Sequence, residues 1–179
     1  MYWKATVSFT RIMAMRRIPH NTMIFATINL LWVLLVSCAT DPIKLTGNPI
    51  VIDADTVILS GERIGFKGID APETTQQCQD VEGHSYPCGQ VATYALIDKI
   101  GISEITCIGN TRGKYTRLQA TCYLDNLELN SWLVQHGYAL AHRRYQDTYI
   151  PQEEDAKEMR RGIWSGTFTP PWEWRKQKH

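Results

Sequence analysis

Two apolar-rich runs, Ile50–Leu59 and Arg63–Ile69, stand on either side of Gly61 and predict a strand–turn–strand unit. A polar loop rich in Gln, Gly and Ser follows from Thr74 to Pro87. Val91, Ala92, Ala95, Leu96 and Lys99 then recur at helical spacing, which predicts a helix over Gly89–Ile100 stopped by Gly101. Two more strands, Glu104–Ile108 and Leu118–Leu124, flank a basic turn from Asn110 to Arg117. Asp125-Asn126 turns the chain into a helix over Leu129–His136 capped by Gly137, and Tyr138–His142 reads as a last short strand. Pro151 opens a third helix with Glu153, Glu154 and Asp155 in its first turn and Arg160 and Arg161 in its last. That charge order suits the helix dipole, and Gly162 ends the helix. Five short strands, with helices after the second and the fourth, predict a small barrel with helices packed on it. The pattern by itself establishes one compact α+β domain.

The N-terminus follows a different pattern. Arg16 and Arg17 precede an apolar run, Met23–Val36, that is short for a membrane span and ends in Leu35-Val36-Ser37-Cys38. Residues 1–37 therefore read as an export signal of the lipoprotein type, with Cys38 as the lipidated residue. An uncleaved membrane anchor and a cleaved ordinary signal are the alternative readings. Residues 38–49 read as a tether, 50–174 as the folded domain and 175–179 as a solvated basic tail. The protein is expected in the periplasm or cell envelope, held to a membrane by its N-terminus, and monomeric.

Charge and cysteines change meaning once this segment is set apart. The formal net charge is +1, yet the first 38 residues carry Lys4, Arg11, Arg16 and Arg17 with no acidic residue, so the remainder is mildly acidic. A broad basic face for duplex DNA is not implied, and phosphate binding falls to a local cleft. In an oxidising compartment the even set Cys78, Cys88, Cys107 and Cys122 reads as two disulfides. Four cysteines allow three connectivities, of which Cys78–Cys88, closing a short loop, with Cys107–Cys122, cross-linking two neighbouring antiparallel strands, is the preferred expectation. A zinc site including His84 is the alternative, weakened by the lack of any C-x-x-C pair.

The candidate chemistry lies in Val51–Glu73. Asp53 and Asp55 sit two apart, so on a strand they share a face, and Asp70-Ala-Pro-Glu73 follows the returning strand. Carboxylates so delivered can hold a hard cation, which prefers oxygen ligands. Asp53-Ala-Asp55-Thr56, Gly68-Ile-Asp70-Ala-Pro-Glu73, Tyr115-Thr-Arg117, Leu129-Asn130, Glu153-x-x-Ala156-Lys157 and Gly162-Ile-Trp164 occur in order. Together they resemble the staphylococcal nuclease family from about Ile50 to Trp174. The resemblance implies an OB-fold, a five-stranded β-barrel with about three helices, and a calcium-dependent phosphodiesterase acting on DNA and RNA, single-stranded above all. It implies calcium ligands at Asp55, Asp70 and the Ala71 carbonyl, a base for the attacking water at Glu73, and a phosphate-gripping arginine at Arg117.

Two positions depart from the family pattern. Gly65 stands where a second phosphate-gripping arginine is expected, and Thr116 stands where glycine is usual. Arg63 and Lys67 lie two residues to either side of Gly65 on the same strand face and are candidate stand-ins. A lysine lacks the bidentate fork. Without such a guanidinium, the same chain also reads as a non-catalytic OB-fold envelope protein that binds nucleic acid, a protein partner or an exopolysaccharide-assembly component.

Overall fold

The computed structural model describes residues 41–112, 117–143 and 147–177. Residues 1–37, read above as an export signal, and Cys38, Tyr115, Thr116 and Lys178 fall outside them. The fold is carried by the unit Thr40–His179. Its first half runs β1 (Ile43–Gly47), β2 (Ile50–Asp53), β3 (Thr56–Leu59), β4 (Glu62–Phe66), β5 (Ile69–Asp70), β6 (Cys78–Gln79) and β7 (Ser85–Tyr86), then α1 (Cys88–Ile100). The second half is β8 (Ile105–Arg112), β9 (Leu118–Leu124), β10 (Leu127–Glu128), α2 (Leu129–Gln135), β11 (Leu140–Ala141), α3 (Ile150–Glu158), a 3-10 turn at Gly162–Ser165 and α4 (Pro171–Gln177).

The main sheet has the order β1-β8-β9-β4-β3-β2, with β10 added beside β9. All its neighbours are antiparallel except β4 and β9, which run parallel. It is the curled mixed sheet of an OB-fold, with helices packed on it, so the α+β barrel expectation holds. β5 pairs with β11 and β6 with β7 outside this sheet. The alternation expected of a sheet with one buried face is clear along β9, where Leu118, Ala120 and Cys122 are buried and Gln119, Thr121 and Tyr123 are half-buried. Val57, Leu59 and Ile64 from the hairpin and Leu96, Leu129 and Leu133 from the helices join them in the main core.

Several expectations need correction. The supposed tether contributes β1, which pairs with β8 from Ile43↔Gly109 to Gly47↔Ile105. Ile50–Leu59 is not one strand. Ala54 and Asp55 form a turn between β2 and β3, so Asp55 leaves the strand face it was expected to share with Asp53. The last strand shrinks to Leu140–Ala141. Residues 175–177, read as solvated tail, belong to a fourth helix. The four cysteines form Cys78–Cys88 and Cys107–Cys122, which removes the zinc alternative.

Candidate active site

Each candidate carboxylate is held by backbone geometry. Asp55 sits in the β2–β3 turn, where its own N–H donates to Asp53 Oδ1 at 3.1 Å. Its Oδ1 accepts from Thr56 Oγ1 at 2.9 Å, and its Oδ2 accepts the Ala71 N–H at 2.9 Å. The last bond ties the turn to the loop after β5, sixteen residues away. Asp70 ends β5 and is 4% exposed. Ala71, also buried, follows directly. Glu73 is set by Gln76, a fully buried residue that donates its backbone N–H to the Glu73 carbonyl and accepts the Glu73 N–H on its side chain. Gly89 in the first turn of α1 lies against the same carbonyl. A Cβ there would collide with Glu73 O, so only glycine lets the helix seat under the loop.

Arg117 reaches the cluster from the strand next to β4. Its Nη1 donates to Thr56 Oγ1 at 3.0 Å. Thr56 is the register partner of Gly65, and Gly65 in turn pairs with Gln119. A Cβ built on Gly65 would stand 2.6 Å from Arg117 Nε and 2.7 Å from Gln119 Nε2. Gly65 has no positive φ, so its role is space: Arg117 lies across the bare strand. The group beside Gly65 is therefore Arg117. Arg63, one of the two expected stand-ins, is exposed, and Lys67 is half-buried with its backbone bonded to Ala120 and Asn130.

The residue that sequence reasoning missed is Arg175. Its guanidinium forks onto Asp70, with Nη1 3.0 Å from Oδ1 and Nη2 2.6 Å from Oδ2, and Nη1 also reaches Glu73 Oε1 at 2.6 Å. Two carboxylates named as metal and base candidates are thus joined through one cation supplied by α4. His142 lies near enough to Asp70 to act on its charge and packs edge-on against Trp172 of α4. Glu153, expected as a helix-dipole charge and as part of a family motif, is buried. It accepts the Ala141 N–H and pairs with Arg143 and Lys157, which fixes β11 beside β5.

The electrostatics are those of crowded carboxylates. Burial, the neighbouring Asp55 charge and their shared hydrogen bonding push Asp53 up to about 7. Burial raises the Asp70 carboxyl, the Arg175 fork pulls it back, and Asp55 pushes it up again. Asp70 and Glu73 in turn hold Arg175 in its charged form. Among the described residues, the one set of three acidic or histidine ligand atoms that all lie within 4.8 Å of one another is Asp80, Glu82 and His84. There Asp80 accepts the backbone N–H groups of Glu82 and His84, as in an ordinary surface turn. Asp55, Asp70 and Glu73 do not close to that spacing as a set, and Arg175 is seated between the last two.

Residues 63–166 match the family model described as staphylococcal nuclease homologue. The chain belongs to the staphylococcal nuclease family. It is 35% identical over 133 residues to the "Succinoglycan biosynthesis protein ExoI" of Rhizobium meliloti, covering 70% of this chain and 66% of that protein. It is 28% identical over 127 residues to the "Probable staphylococcal-like nuclease CAN3" of Oryza sativa, covering 69% of this chain and 31% of that one. An "Uncharacterized endonuclease" of Haemophilus influenzae is 24% identical over 168 residues, 89% of this chain and 88% of its own. The chain thus spans about two thirds of the first of these relatives and about a third of the second.

Proposed function

We propose that this family member is an exported phosphodiesterase that hydrolyses DNA or RNA with calcium as its cofactor. The observation that carries the reading is the oxygen-only pair of Asp70 and Glu73, which share one positive charge, with Asp55 tied beside them through the Ala71 N–H. Hard oxygen donors suit calcium, and burial first, with the neighbouring Asp55 charge besides, pushes Asp53 and Asp70 up, a crowding of carboxylates that a divalent cation would relieve. Asp55, Asp70 and the Ala71 carbonyl would hold the ion. Bound there, calcium supplies Lewis-acid polarisation of a phosphoryl oxygen.

The rest of the chemistry falls to the chain's own groups. Arg117, anchored at Thr56, offers its fork to the phosphate oxygens. Glu73 is held by Gln76 where it can take a proton from the attacking water. With Gly65 leaving a single guanidinium on the strand side, turnover is expected to be on the order of 10²–10³ lower than with a second positioned donor. Short single strands are the substrate class that a local cleft on a mildly acidic body admits. The two disulfides support an oxidising compartment, and the sequence before Cys38 supports export with lipid attachment there.

Cleavage of single-stranded DNA by the exported protein, lost in chelator and in Glu73→Gln, is the expected result. A parent no faster than Glu73→Gln sinks the reading. The second reading is a non-catalytic role in envelope polymer assembly, favoured by the likeness to a succinoglycan biosynthesis protein. It predicts nucleic-acid cleavage at background level together with a polymer defect when the chain is removed from its host.

A further inference from the structure

We propose that Arg175 is a built-in cation that closes the carboxylate site against calcium, and that α4 must lift away before the metal loads. The inference rests on the calcium reading of the site given above. Both oxygens of Asp70 are taken by the Arg175 fork, at 3.0 and 2.6 Å, and one oxygen of Glu73 is taken by the same group at 2.6 Å. Asp70 is 4% exposed, so solvent offers its carboxylate no other partner. A metal and a guanidinium compete for those oxygens, because both are cations drawn to the same negative charge and they repel one another at contact distance.

The latch is built to open. α4 has seven residues, too few to persist as an isolated helix, so its docking depends on what it touches. Arg175 grips the carboxylates, and Trp172, three residues earlier, rests against His142 and the small cluster of Leu140 and Ile163. One side of the segment faces an open cleft of 760 Å³ lined by Trp164, Phe168, Trp172 and Lys176 among others, so Trp172 and Lys176 are only partly covered there. Incomplete cover lowers the cost of release, and two contact points on one short helix make Arg175 and Trp172 leave together.

A closed latch reduces apparent metal affinity by the fraction of molecules that are open. Calcium titrations of the full chain, followed by calorimetry, test this in the parent, in Arg175→Gln and in Trp172→Ala. Both variants are expected to bind calcium roughly tenfold more tightly, or better. Hydrogen exchange of residues 171–177 in the parent is expected to accelerate as calcium saturates. Equal affinity in parent and variants, weaker binding in Arg175→Gln, or α4 amides still protected at saturation would overturn the latch while leaving the calcium site standing. Binding of calcium by none of the three proteins would overturn both readings. Should Arg175→Gln fail to fold with Asp70 left bare, the exchange experiment on the parent and the Trp172→Ala titration decide the matter.

Discussion

At the scale of single residues, Gly65 is a passage. Arg117 crosses the strand where a side chain is missing and ends on Thr56. The atoms a Cβ would meet are the ends of two long side chains, which yield cheaply, so Gly65→Ala should leave stability within about 1 kcal/mol of the parent. It should nevertheless push Arg117 off Thr56. Cleavage of short single-stranded DNA is then expected to fall by roughly tenfold in kcat/KM, a loss of about 1.4 kcal/mol in positioning. Unchanged kcat/KM would show that Arg117 does its work from another place. Gly65→Arg is correspondingly no simple restoration, since the new side chain must displace the one already there. Asn130 is the opposite kind of residue. Fully buried, it accepts the Cys122 N–H and donates to the Lys67 and Ala120 carbonyls, stitching α2 to β9 and to the strand that leads to Asp70. Asn130→Ala strands those backbone groups and is expected to cost on the order of 3 kcal/mol in urea unfolding, against near zero if water replaces the amide.

At the scale of elements, what was legible in the sequence and what was not divide along physical lines. β9 was readable to the residue because alternation over seven positions is a long signal, and α1 was readable because its apolar residues recur over three turns. α4 was not. Pro171-Trp-Glu-Trp-Arg-Lys-Gln spans barely two turns, has no periodic stripe, and follows a second proline, so its composition looks like a tail. Its docking comes from a long-range charge pair, 105 residues apart in sequence, that no local window contains. For the same reason the sequence showed Asp55, Asp70, Glu73 and Arg117 as candidates without showing what stands between them. The disulfides were read correctly by pairing, and they act on different elements. Cys107 and Cys122 are direct partners across β8 and β9, whereas Cys78–Cys88 ties the loop that carries Glu73 and Gln76 to the start of α1. Replacing either pair with alanine is expected to cost about 2–4 kcal/mol. Faster hydrogen exchange over residues 73–79 is expected only when Cys78 and Cys88 are replaced. Equal loosening of that loop in both double variants would show that it is held by the barrel as a whole.

At the scale of the whole molecule, the crowded carboxylates should write themselves into the pH dependence of stability. The acid side belongs to surface pairs: Lys157 and Arg143 hold Glu154 low, and Arg161 holds Asp155 low, so their contribution is present above the unfolded carboxylate pKa and fades as pH falls through the lower folded values. Asp53 acts in the opposite sense. Its carboxyl is pushed from 3.8 to about 7, first by burial and then by Asp55, so the folded chain binds a proton that the unfolded chain has given up. That contribution is fully present below the unfolded value of 3.8 and is lost as pH rises through about 7. In chelator, the Tm of the parent should therefore decline between pH 5 and pH 8. Asp53→Asn keeps an oxygen that can accept the Asp55 N–H but carries no charge to unmask. Its Tm should approach the parent's only towards about pH 4 and be higher at pH 8, with each 1 kcal/mol appearing as about 2–4 °C in a chain of this size. Parallel Tm profiles for the two proteins across that range would mean that Asp53 ionises in the folded state as easily as in the unfolded one. The negative charge at the β2–β3 turn would then already be neutralised, and the pull of this site on a second cation would have to come from Asp55 and Asp70 alone.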